Sequence, residues 1–367
     1  MKRAHNFSAG PAVLPIQVLE ETANAVLNFN NSGMSIMEVS HRAKDFDNVM
    51  KEAQADCLKL MNLSPEEYYV MFLGGGASLQ FLMVPYNFLI KKADYINTGV
   101  WAKKALKEAK SLSGMFNAEV NTAASSEDKN FNYIPTEFKF SPDADYVHLT
   151  TNNTIYGTEW KDNIPDTKNV PLIADMSSDM FAIQRDFSKY SLIYAGAQKN
   201  IGPAGVTMVV IKKQWAEENA RKEVPTMLYY KTHYDNESMF NTPPCLPVFV
   251  VSRTFKWIMA QGGLEAVQQN NEMKAKLLYD VIDAYSDFYK GAVTNPKDRS
   301  LMNVTFNCVR PELEAKFIAD AKERYNMTNL KGHRSVGGIR ASIYNACPVD
   351  TIKALIKFMD EFYKENK

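Results

Sequence analysis

YYVMFLGGGASLQFLMV, residues 68–84, holds the fold in miniature. The run from Tyr68 to Leu73 is apolar, aromatic and too short for a helix, so it reads as a strand. Glycines 74–76 stop it. Apolar residues then return at Leu79, Phe81, Leu82 and Val84, a helical pattern. Strand, glycine turn and helix form the unit from which parallel sheets are built. The alternation continues outward. Helices are expected from Pro15 to about Asn28 and from Asp45 to Met61, and another opens at Trp101. Short strands are expected at Tyr95–Ile96, 145–150, 170–175, 191–195 and 206–211. The expected class is α/β, with a mostly parallel central sheet and helices on both faces. Past residue 260 the pattern changes to a helix at 264–286, a strand near 302–307, a helix near 312–325, a glycine-containing segment at 331–340 and a closing helix from about 349. This reads as a smaller α+β domain, dividing the chain into 1–260 and 261–367 with no flexible linker between them.

The bulk properties narrow the function classes. A chain of 367 residues suits two domains. Lys plus Arg and Asp plus Glu balance at 42 each, so no global field attracts nucleic acid or an anionic membrane. Any anionic ligand must be held by local groups. The start, MKRAHNFSAGPAVLP, lacks the apolar core of a secretory signal, and no stretch is apolar enough to span a bilayer. Cys57, Cys245, Cys308 and Cys347 are widely spaced, which favours reduced thiols in a cytoplasmic protein over a disulfide framework or a metal site.

The chemistry is concentrated in a few turns. In SLIYAGAQKNIGPAG (191–205) an apolar strand runs into small residues around Lys199. A surface turn lysine has the same local look. A lysine desolvated among small residues, however, is a nucleophile able to form a Schiff base beside a flat ligand. In PLIADMSSDM (171–180) Asp175 ends the preceding strand. It either caps a turn or shares a cleft with Lys199, where a carboxylate could hold the proton of a pyridinium ring. The glycine turn leading into Ala77 and Ser78 is either structural or a phosphate cup built from Gly76, Ala77 and Ser78. It fits neither the nucleotide-binding GxxxxGK[ST] pattern nor the dinucleotide fingerprint GxGxxG. Trp101 is either a core residue or a platform for a flat ring. Two arginine-bearing segments, SHRAKDF (40–46) with His41 and Arg42, and GHRSVGGIRAS (332–342) with His333, Arg334 and Arg340, are either solvated charge or anion-binding forks.

Taken together, these segments resemble the phosphoserine aminotransferase family, class V members of the pyridoxal-phosphate (PLP) dependent fold type I enzymes. The resemblance runs through NFSAGPAVLP (6–15), MEVSHR (37–42), GGGASLQF (74–81), TGVW (98–101), NNTIYG (152–157), ADMSSD (174–179), YAGAQKNIGPAG (194–205), MFNTPP (239–244) and KGHRSVGGIRASIYNA (331–346). It implies a fold type I large domain, with residues 1–15 packing at the active site. It further implies that Lys199 carries the cofactor as a Schiff base, that Asp175 pairs with the pyridine nitrogen, that Trp101 stacks on the ring and that Thr154 lies beside it. Ala77, Ser78 and Gln198 are implied at the cofactor phosphate, with Asn241 and Thr242 reaching it from the second subunit of a homodimer. Arg42, also from that subunit and adjacent to His41, is implied with His333 and Arg334 at the distal anion of the substrate, and Arg340 at its α-carboxylate. The implied reaction moves an amino group between L-glutamate and 3-phosphohydroxypyruvate, giving 2-oxoglutarate and O-phosphoserine. The related 4-phosphohydroxythreonine is a further substrate to test. Ala9 stands where several relatives carry Ser, and some relatives carry Arg near Ser78.

Other readings stay weaker. An alanine–glyoxylate aminotransferase needs no His333–Arg334 cluster. A cysteine desulfurase needs a Cys in a flexible loop, and none of the four has that setting. A non-catalytic relative would be expected to lack Lys199 or Asp175. A nicotinamide dehydrogenase would need the absent dinucleotide fingerprint.

Overall fold

A computed structural model describes residues 3–367. A seven-stranded sheet runs in the order Tyr68–Leu73, Thr207–Lys212, Leu192–Gly196, Leu172–Asp175, Tyr146–Thr150, Lys92–Asn97, Glu119–Ser125. All strands are parallel except Thr207–Lys212, which is antiparallel to both neighbours. The central strands are buried on both faces, so their sequences are continuously apolar instead of alternating. The two faces nevertheless sort with period two. Leu172 and Ala174 join one core and Ile173 the other, and Val70 and Phe72 likewise oppose Met71 and Leu73. The first core is closed by the helices Ile16–Leu27, Lys44–Met61 and Cys245–Ala260. The second is closed by Gly76–Phe88 and Val100–Phe116.

A third core gathers the helices Gly263–Ala284, Leu313–Tyr325 and Val349–Asn366 around a three-stranded antiparallel sheet, Ile339–Ser342, Asn303–Cys308 and Tyr289–Gly291. Phe7 is buried in it, and His5–Asn6 pairs in parallel with Met327–Thr328. The N-terminal segment is thereby tied to residues from the far end of the sequence. Among the described residues no helix is long and apolar enough to cross a membrane, and no cluster of His, Cys, Asp and Glu could hold a metal ion. All four cysteines are free thiols.

Candidate active site

In parallel sheets, ligands bind beyond the carboxyl ends of the strands. Five of the segments singled out in the sequence emerge there, each from its own strand. Gly76 follows Leu73, Trp101 follows Asn97, Thr154 follows Thr150, Asp175 ends its own strand, and Lys199 follows Gly196.

Lys199 sits in a turn closed by Ala197, whose carbonyl accepts from the N–H groups of Ile201 (3.3 Å) and Gly202 (2.8 Å). Gly202 is required here, because a Cβ would lie 2.6 Å from Val251 on the Cys245–Ala260 helix. The ammonium of Lys199 donates to Thr154 Oγ1 at 2.8 Å and lies 5.8 Å from the centre of the Trp101 ring. Burial lowers the lysine to about 8, opposed by the charges of Asp175 and Asp179 and assisted by Arg340. Asp175 is 4% exposed, and its Oδ1 accepts from the N–H (2.9 Å) and Oγ (2.6 Å) of Ser177. Burial raises its carboxyl above the usual range, against the pull of Lys199 and of Ser177. Desolvation therefore outweighs mutual attraction for both groups, which keeps the lysine a better nucleophile than a surface one.

Two loops are locked to each other beside this pair. Asn153 donates to the carbonyl of Thr98 at 2.7 Å and accepts from the N–H groups of Ile155 and Tyr156, both at 3.2 Å. A Cβ on Gly99 would lie 2.5 Å from Asn153, so only glycine lets the Trp101 turn approach the Thr154 loop. The buried indole Nε1 of Trp101 and the guanidinium Nε of Arg340 have no partner among the described residues. Arg340 donates from Nη1 to the Thr154 carbonyl at 3.3 Å, which brings its guanidinium to the same loop. Burial lowers its pKa. The Gly76–Phe88 helix opens on Gly75 with φ +90°, and no side chain caps its first turn. Free N–H groups at such an end suit an anion. Ala77 is half-buried and Ser78 exposed. Gln198 accepts through its carbonyl from the N–H of Ala12 at 2.8 Å, and a Cβ on Gly10 would lie 3.4 Å from Cγ of Lys199. The Ala9 carbonyl accepts from the Tyr344 hydroxyl at 2.8 Å, so that backbone group is already engaged.

His333 is half-buried and shares a 2.7 Å hydrogen bond between Nδ1 and Ser335 Oγ. Burial, then Arg340, Arg334 and Lys104, lower its pKa. The turn bearing it needs Gly332, where a Cβ would fall 1.8 Å from the Gly337 carbonyl. Arg334 is exposed. The remaining residues are not brought to Lys199 within one chain. Arg42, Asn241 and Thr242 are exposed, and their hydrogen bonds are local, Arg42 N–H to Ser40 and Asn241 to the Thr242 carbonyl. His41 has a buried Nε2 without a partner among the described residues. Sequence reasoning missed Ser177, Asn153 and the buried Arg185–Asp179 ion pair (2.7 Å), because each acts through a partner that local spacing does not reveal.

Comparison with known proteins places the chain in a family. The class-V aminotransferase family model matches residues 4–355. The phosphoserine aminotransferase of Phocaeicola vulgatus is 53% identical over 364 residues, 99% of each chain. The chain belongs to the phosphoserine aminotransferase family. The solved phosphoserine aminotransferase of Bacillus circulans subsp. alkalophilus superposes with a TM-score of 0.95 at 46% identity, covering 100% of both chains. The PLP-bound phosphoserine aminotransferase of Trichomonas vaginalis does so with a TM-score of 0.91 at 39% identity, over 98% of this chain and 100% of that one. The α/β architecture is that of the fold type I aminotransferases within this family.

Proposed function

We propose that the protein transfers the amino group of L-glutamate to 3-phosphohydroxypyruvate, forming O-phosphoserine and 2-oxoglutarate, with pyridoxal phosphate as cofactor. The observation that carries this is the convergence of a buried Asp175, a desolvated Lys199 and a half-buried Arg340 at the carboxyl ends of a mostly parallel sheet. The residues suit that cofactor. Asp175 offers a carboxylate with Oδ1 already fixed by Ser177, and Trp101 offers an aromatic face 5.8 Å from the lysine amine. The uncapped helix at Gly76, Ala77 and Ser78, with Gln198, would hold the phosphate. Asn241 and Thr242 would complete that site from a second copy of the chain, which makes the working unit a homodimer. The balanced charge fits a cytoplasmic enzyme of small-molecule metabolism.

When bound, pyridoxal phosphate supplies an electron sink for the charge that develops at the substrate α-carbon. Asp175 keeps a proton on the ring nitrogen. Thr154 would orient the Lys199 amine, which would take the proton from the substrate Cα and carry it to the cofactor side of the substrate nitrogen. Arg340 grips the α-carboxylate common to both substrates. His333 and Arg334, with His41 and Arg42 of the second copy, take the distal anion, a carboxylate or a phosphate. One site then serves both half-reactions in alternation. The test is an amino-transfer assay with glutamate and 3-phosphohydroxypyruvate, run beside alanine with glyoxylate and beside the phosphohydroxythreonine reaction. Preference for alanine and glyoxylate would overturn the proposal.

Two results are expected from the geometry. Arg340→Lys removes the fork that meets a planar carboxylate on two prongs. With one charged hydrogen bond lost, kcat/KM is expected to fall about 10- to 100-fold for both substrates alike. A loss confined to one substrate would place Arg340 elsewhere. The second result concerns pH. Only the neutral amine attacks an aldehyde, and Lys199 loses its proton near pH 8, below the ordinary lysine value of 10.5. Capture of added cofactor by the cofactor-free protein should therefore accelerate from pH 7 and level off above about 8. An inflection that stays near the ordinary lysine value would contradict the desolvated site.

A further inference from the structure

Lys274 lies within the Gly263–Ala284 helix and is 0% exposed. Its Nζ meets no carboxylate among the described residues. It donates instead to the backbone carbonyls of Ile343 (3.0 Å), Tyr344 (2.8 Å), Cys347 (3.3 Å) and Asn345 (3.5 Å). An ammonium buried without a counter-charge is unfavourable unless its donors are satisfied. A methionine would fill similar space without that penalty. Carbonyl oxygens gathered about one cation replace its water, as in ion-selective sites. Burial lowers the lysine to about 8, so at neutral pH the cationic form still prevails.

The carbonyl turn leads somewhere specific. Residues 343–347 follow the Ile339–Ser342 strand that carries Arg340. Within the turn, the N–H of Asn345 donates to Asn200 Oδ1 at 3.0 Å. Asn200 is the residue after Lys199, and its Nδ2 donates to the Ser178 carbonyl at 3.3 Å, in the turn that follows Asp175. The side chain of Asn345 accepts from Asn271 (2.8 Å), on the Lys274 helix, and donates to the Phe181 carbonyl at 3.0 Å. Asn200, Asn271, Lys274 and Asn345 are all buried. A continuous hydrogen-bonded path thus joins Lys274 to the main chain beside Lys199 and Asp175.

We propose that Lys274 is a positioning residue for the transamination: its ammonium orders the 343–347 turn, which through Asn345 and Asn200 fixes the main chain presenting Lys199. This rests on the assignment of Lys199 as the catalytic lysine. Lys274→Met keeps the stem and removes every donor. In the holoenzyme, kcat per bound cofactor is expected to fall about tenfold or more, the cost of a slightly misplaced reacting group. Amides of 197–202 should exchange faster with deuterium, while those of 68–88 keep their protection. Asn200→Ala leaves the carbonyl ring intact and should show the same two changes. The double variant should lose no more than the worse single one, because both act along one path. Unchanged kcat and exchange with only a lowered Tm, or losses that multiply in the double variant, would overturn the proposal. If Lys274→Met does not fold, Asn200→Ala decides alone, and wild-type kcat and exchange there would overturn it. The wild-type cofactor spectrum must change on adding glutamate; failure of that control would strike the Lys199 assignment and not the role of Lys274.

Discussion

Lys199→Ala is expected to give a folded protein that turns over neither substrate and holds no cofactor reducible onto the chain by borohydride. The fold should survive. Lys199 makes one side-chain hydrogen bond, to Thr154, and its turn is held by main-chain bonds to Ala197 and by the packing of Gly202 on Val251. The chemistry should not survive, since alanine has neither a nucleophile nor a base. Loss of general acid–base action at the α-carbon alone accounts for about 10²- to 10⁴-fold, and loss of covalent attachment adds to it. Three readings check this: the absorbance band of the lysine-linked cofactor, the borohydride-fixed label, and turnover with glutamate. A label retained on the variant chain would assign the link to a different lysine. Lys274, the other lysine lowered to about 8 by burial, is the natural control, because its four carbonyl partners leave no room for a ligand at Nζ.

Much of this was legible in local sequence, and the reason is physical. Tyr68–Leu73 matches its expected bounds because strand-forming side chains end abruptly in glycine. Leu192–Gly196 and Leu172–Asp175 follow from short apolar runs that end in polar or small residues, and their ends are the site itself. The sheet was not legible in full. Glu119–Ser125 is an edge strand whose side chains are mostly half-exposed, so its sequence carries no apolar run. Thr207–Lys212 looks like its neighbours, and nothing local says that it runs antiparallel. Cys245–Ala260 has Val248, Phe249, Val250 and Val251 in succession, a strand-like run that masks a helix buried on several sides. In the candidate site, residue types point to Lys199 and Asp175, whereas Asn200 and Ser177 are defined by partners that come together only on folding.

Asp175→Asn separates charge from shape. Asparagine keeps an Oδ1 that can still accept from the N–H and Oγ of Ser177, so the turn should stand and the cofactor should still bind. The negative charge is what disappears. Without it the ring nitrogen is no longer held protonated, and charge developing at the α-carbon loses its sink. Removing one preorganised electrostatic partner of a developing charge typically costs about 10²- to 10³-fold in kcat, and a loss in that range is expected with KM little changed. A second signature follows from the same charge. Asp175 raises the pKa of Lys199 against the larger effect of burial, so its removal should let the amine lose its proton at still lower pH. Cofactor capture by the cofactor-free variant should then level off below pH 8, the opposite direction from any relaxation that wets the site. A variant with near wild-type kcat and an unmoved capture profile would show that Asp175 only caps its turn. Low kcat together with a capture profile moved toward the ordinary lysine value would mean that the site had opened to water, and Asp175 would be structural.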